Sequence, residues 1–195
     1  MSSQDQKAIL HRYLQTAREA LLWKLDGVSE YDARRPLTPT GTNLLGLVKH
    51  VASIEIEYFG DIFDRPSGEP LPWLTDDPEA NADMWATPEE SREDIVALYH
   101  RSWAHSDETI EALELDAPGR VPWWGTPEVT LQQILVHMVA ETQRHAGHAD
   151  IVRELVDGAA GVRADNSNLP GDVDWAAYHQ KVEGAAATFR PGAGG

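Results

Sequence analysis

Four side chains able to hold a metal ion recur along one stretch of this sequence, Thr130 to Gly158: His137, Glu141, His145 and His148. Apolar residues at three- and four-residue intervals through the same stretch predict one long helix, capped by Thr130 and stopped by Gly158. At about 100° per residue the four fall at roughly 0°, 40°, 80° and 20°, in the sector of Ile134, Val152 and Leu155. The spacing therefore points them at the core, where polar groups need partners and charges need a counter-charge or a metal. Glu141 and His145, one helical turn apart, can share one cation. His137 and His145 stand about 12 Å apart along the axis, too far to bind the same ion. A third ligand has to come from a facing helix, and His50 within LLGLVKHVASIE is the candidate. Three protein ligands leave a position open, as in catalytic zinc sites, while two histidines and a carboxylate also match the iron(II) pattern.

The elements that must position these residues are helical. Residues 4–28 carry the period of a first helix, and 29–41, with Pro36, Pro39 and Gly41, read as a loop. A second helix is expected from Thr42 or Asn43 through LLGLVKHVASIEIEYFGDIF. Ser53, Ile54, Glu57 and Asp61 lie on its His50 side, Glu57 as a carboxylate near the substrate or on the surface. Residues 65–87 form a long irregular connection in which Trp73 and Trp85 are expected to anchor on the bundle. Thr87, Pro88, Glu89 and Glu90 have the pattern of a helix start, giving a third helix to about Leu115. His11 lies among solvent-type neighbours and is read as an ordinary surface histidine, while His100 and His105, about 140° apart on the third helix, are read as structural. The segment 116–129 is expected to be a loop that puts Trp123 and Trp124 near His137, with Arg120 as a candidate anion contact. After Gly158 a short terminal helix is expected around Trp175, Tyr178 and Val182. No strand pattern is found.

Composition narrows the function. With 195 residues and 42% hydrophobic content the chain can build one sizeable core, and a single domain over 1–195 is expected, with 159–195 as an extension packed on it or frayed. A net charge of -16 argues against nucleic acid and anionic membrane partners. No apolar run approaches the roughly 18 residues of a membrane span, and MSSQDQK does not open a signal peptide, so a cytoplasmic location is expected. There is no cysteine, hence no disulfide, cysteine-zinc site or cysteine nucleophile.

The histidine of LLGLVKHVASIE, followed about ninety residues later by HMVAETQRHAGHADIVRE, resembles the DinB/YfiT-like superfamily of metal-dependent bundle proteins. More narrowly it resembles the branch labelled mini-circle protein, over most of residues 1–160. The resemblance implies an all-α, four-helix bundle with a long crossover, and a divalent ion, zinc or nickel, held by His50, Glu141 and His145. Glutamate at 141 is shared with the thiol-dependent maleylpyruvate isomerase relatives, while His148 stands where many members have glutamine. Characterised relatives use a low-molecular-weight thiol such as mycothiol.

Three readings follow. The first is a thiol-dependent S-transferase or isomerase acting on a small molecule, with the metal on His50, Glu141 and His145 and a proton carried by His137 or His148. The second is a hydrolase in which the metal activates water. The third is a metal-stabilised binding or stress-response module without catalysis. A homodimer is compatible with all three.

Overall fold

The computed structural model describes residues 2–74, 79–167 and 169–191. Helix α1 (Ser3–Leu22) opens with a reciprocal cap between Ser2 and Asp5 and tightens into a 3-10 turn at Trp23–Leu25. The expected loop 29–41 contains a short helix, α2 (Glu30–Arg34). Ser29 caps it and two acids sit in its first turn, a start signal without an apolar period to reveal it. Helix α3 (Leu44–Phe59) starts at the Asn43 cap, whose side chain accepts from the Gly46 N–H, and nearly all of it is buried. A crossover then leads to α4 (Arg92–Ala112). Its start is not Thr87 but Ser91, whose hydroxyl accepts from the Asp94 N–H. Glu90 is diverted from the helix because its carboxylate answers the buried Lys49 ammonium and accepts the Thr87 N–H.

The segment before the last long helix is not wholly loop. Strands β1 (Pro118–Arg120) and β2 (Glu128–Thr130) pair antiparallel with Gly119 opposite Val129. Each has three residues, too few for an alternating pattern to register in the sequence. Helix α5 (Leu131–Asp157) follows from the Thr130 cap and ends at Gly158 with φ +79°, the left-handed conformation glycine adopts without strain. Helix α6 (Trp175–Ala187) lies in the C-terminal extension. The fold is all-α, with α1, α3, α4 and α5 as its long helices and a long crossover between α3 and α4. No helix among the described residues is long and apolar enough to cross a membrane.

Helices α3 and α5 run antiparallel, so that His50 meets His145 and, eight residues along each, Tyr58 meets His137. Ile134, Met138 and Val152 of α5 are buried, as the periodicity requires. Leu155 and Ile151 are not: they expose 61% and 63% of their surface, so the sector assigned to Leu155 belongs to solvent rather than the core. The buried stripe is centred on Met138, Thr142 and Ala149, and the polar quartet occupies its edge. The crossover is anchored by Trp73, whose indole N–H donates to Ser53 Oγ at 2.8 Å and whose ring lies 4.0 Å from Lys49 Nζ. Trp85 stays 38% exposed, and its carbonyl accepts from Lys49.

A charged cluster sits between α1, α3 and α4. Arg18 and Glu55 are paired and both fully buried, and Arg18 also donates to Asp107, which bonds His11. His11 is thus a partner of this cluster rather than a free surface histidine.

Candidate metal centre

Helix geometry places the two proposed ligands of α5 next to each other. His145 Nε2 stands 3.4 Å from Glu141 Oε2. That is long for a hydrogen bond, and it matches the separation of roughly 3.4 Å between two tetrahedral ligands with bonds of about 2.1 Å. The His50 ring lies against His145, centroids 4.7 Å apart at 70°. Among the described residues no three such side chains already converge as a metal cage; His50 and the α5 pair are adjacent, and bringing all three onto one ion takes side-chain rotation.

Electrostatics keep His145 in the neutral form that ligation requires. Burial, reinforced by His50, His148 and Arg144, pushes His145 down to about 4, so its imidazole is neutral and free to ligate. Among the described residues its buried Nδ1 has no hydrogen-bond partner. His148 lies on the outer side, its ring 5.4 Å from that of His145. His137 is a turn beyond Glu141, in a different setting: its ring packs on Tyr58 at 4.7 Å and on Trp124 at 4.8 Å. Burial lowers its pKa, with Glu141 opposing. Trp123 stands 6.1 Å from Tyr58 and is 54% exposed, and Trp124 lies 5.9 Å from Tyr58, so the expected aromatic pair gathers around Tyr58 and His137. Arg120 is exposed on β1. Glu57 and Asp61 line a cavity of about 330 Å³ under the 66–74 loop, and burial, with Asp61 adding to it, pushes the Glu57 carboxyl up.

Asp83 is the residue that sequence reasoning missed. Its carboxylate takes a 2.6 Å hydrogen bond from His50 Nδ1, and that bond holds Asp83 below the usual carboxylate range. With Nδ1 committed, Nε2 is the nitrogen His50 offers to a cation, the arrangement by which a carboxylate steadies a ligating imidazole. A lone aspartate in a proline-rich connection has no periodicity to mark it. What fixes it is the fit of the 82–84 turn on α3. A Cβ on Gly46 would lie 1.8 Å from the Met84 carbonyl oxygen, so only glycine lets the turn approach. Asn43 Nδ2 donates to that same carbonyl, and Lys49 donates to the carbonyls of Ala82 and Trp85. Tyr58, also unassigned from sequence, shares the His50 side of α3 two turns on.

This geometry carries a prediction. Asp83→Asn should weaken divalent-ion affinity about 10 to 100-fold, the usual effect of losing such an outer partner, while sparing fold stability. Gly46→Ala should weaken it similarly by displacing the turn, and should also lower stability by about 1–3 kcal/mol through overpacking. Competition with a chromophoric chelator and urea titrations measure both. Unchanged affinity in Asp83→Asn would separate Asp83 from the site.

No curated protein matches the chain. The family model described as mycothiol-S-transferase matches residues 9–158, the span that runs from α1 to the C-cap of α5 and holds His50, Asp83, Glu141 and His145. With more than half of its length covered by that match, the chain belongs to the mycothiol-S-transferase family, within the DinB/YfiT-like superfamily.

Proposed function

We propose that this protein is a mycothiol-dependent S-transferase whose chemistry is centred on a divalent metal ion, zinc in the first instance, held by His50, Glu141 and His145. The observation that supports it is the meeting of a carboxylate-oriented histidine of α3 with a His–Glu pair of α5, within the span the family match covers. The donor set fits a divalent ion: two neutral imidazoles and one carboxylate leave a net charge of +1, which favours an anionic fourth partner. Such an ion would supply Lewis acidity that lets a thiol ionise near neutral pH.

The chain's own residues account for the rest. Having no cysteine, it brings no competing thiolate, and the sulfur must come from the small-molecule substrate. In transfer the thiolate sulfur forms an S–C bond as the bond from that carbon to the leaving group of the electrophilic substrate breaks; a base takes the proton from the sulfur and passes it to the leaving group. His148, beside His145, and His137, beside Glu141, are the histidines placed to do so, and the lowered pKa of His137 keeps it unprotonated. Tyr58, Trp123 and Trp124 form an aromatic cluster beside His137, a surface on which the substrate's electrophilic part can pack.

The test is cobalt substitution followed by thiol titration. A sulfur-to-cobalt charge-transfer band that saturates with mycothiol is the expected result. No band and no change in the metal's spectrum at millimolar thiol would overturn the S-transferase reading and leave metal-activated water as the chemistry of the same site.

A further inference from the structure

A cavity of about 520 Å³ opens where the crossover meets the N-terminal end of α3, outside the metal centre. That volume lies in the roughly 300–1,000 Å³ range of small-molecule sites. Thr40, Thr42 and Asn43 line it from the segment leading into α3, and Asn81, Met84 and Trp85 line it from the crossover. Its wall is neutral. Arg34 is the one charged side chain among the described residues that line it, and its guanidinium is already committed to Glu30 and to the carbonyls of Thr87 and Glu90. An anion or a cation would therefore find no free counter-charge there. The groups left to a ligand are the Thr42 hydroxyl and the Asn81 amide, without hydrogen-bond partners among the described residues, the Thr40 hydroxyl, 3.2 Å from Thr38 Oγ1, and the partly exposed Trp85 ring. An aromatic ring flanked by hydroxyls and an amide suits a sugar or cyclitol: the ring packs on a C–H face, and each polar group can donate to and accept from ligand hydroxyls.

The cavity and the metal centre share one turn. Asn81 and Trp85 bound the 3-10 turn Ala82–Met84, and the Asn81 carbonyl accepts the Met84 N–H. Within that turn Asp83 holds His50 Nδ1, while Met84 and the two bounding residues line the cavity. The turn rests along α3 from Asn43, which donates to the Met84 carbonyl, to His50, about 10.5 Å further along the axis. A ligand held by Asn81 and Trp85 fixes both ends of the segment that aims Asp83. Occupancy of the cavity therefore stabilises the His50 orientation that ligation needs. By linkage, a bound ion raises affinity for that ligand by the same factor.

We propose that this cavity is a subsite for the uncharged, polyhydroxylated end of the substrate thiol, coupled to the metal centre through the turn from Asn81 to Trp85. The source of that ligand rests on the S-transferase reading: mycothiol carries its cysteinyl sulfur on an amino sugar linked to a cyclitol, and the cavity takes that end while the sulfur reaches toward His50. The neutral chemistry of the cavity stands without that reading. The subsite gives the protein a means of telling this thiol from a bare cysteine derivative.

The probe is the N-acetylated sugar–cyclitol unit without its cysteine, titrated calorimetrically into the full chain, alongside mycothiol and N-acetylcysteine titrated into the cobalt protein. The unit should bind wild type with submillimolar affinity and be displaced by mycothiol. Trp85→Ala should weaken it at least about 30-fold, as loss of an aromatic anchor does. Thr42→Val, of nearly the same shape, should weaken it about 3 to 10-fold through one lost neutral hydrogen bond. Thr42→Val should keep its helical circular dichroism, so the test holds even if Trp85→Ala loosens the crossover. The saturating unit should tighten divalent-ion binding about 5-fold or more in chelator competition, and Asp83→Asn should erase that gain. Mycothiol should saturate the cobalt spectrum at lower concentration than N-acetylcysteine, an advantage that both cavity variants reduce. No binding of the unit at millimolar concentration, binding unchanged in both variants, or bound free inositol that mycothiol does not displace would overturn the proposal. Equal ion affinity with and without the unit would overturn its coupling to the metal centre. Binding of the unit with no cobalt band from either thiol would sink the transfer reading while upholding the subsite.

Discussion

His145→Ala should empty the metal centre and lower thiol transfer by more than about 100-fold, beyond the range that loss of an outer partner produces. His145 is the residue both others touch: Glu141 faces its Nε2 at 3.4 Å and the His50 ring packs on it at 4.7 Å. Removing it leaves Glu141 and His50 without the group that brings them together. His148→Ala is the control. Its ring lies 5.4 Å from His145 on the outer side, so the ion should be retained while the transfer rate falls. Elemental analysis reads the first effect independently of turnover. A full complement of metal in His145→Ala would remove the proposed site, and equal loss in both variants would place His148 among the ligands.

How much of this was legible before the structure can be argued residue by residue. His50, Glu141 and His145 could be brought to one place because they lie on long helices, where spacing determines direction. Asp83, which orients His50, could not, because its position depends on a turn seated against Gly46 and held by Lys49, contacts between segments 33 to 41 residues apart in sequence. Leu155 was misassigned for a related reason. A helix apolar on two sides gives a broad periodic signal that does not say which side meets α1 and α3 and which remains outside. The short helix α2 and the hairpin of β1 and β2 were missed because each is held by caps or cross-strand bonds rather than by an apolar pattern.

Replacing Arg18 by methionine should cost about 3–5 kcal/mol of stability, because the fully buried Glu55 carboxylate would lose its counter-charge. Burial already pushes Glu55 up against the pull of Arg18. Without the guanidinium the carboxyl would keep its proton further into the neutral range. A carboxyl whose folded pKa exceeds its unfolded value loses stability as pH rises, since the unfolded chain ionises first. The deficit of Arg18→Met relative to wild type should therefore be largest near neutral pH and shrink as pH falls toward 4.5, the ordinary glutamate value. Replacing both partners, Arg18→Met with Glu55→Leu, should restore most of the loss, since an apolar pair leaves no buried charge behind. Urea titrations of the two single variants and the double variant across this pH range form the complete cycle. Additive losses in the double variant would mean that Arg18 and Glu55 stabilise the bundle through separate contacts, Arg18 through Asp107 and Gln15, and not as a pair.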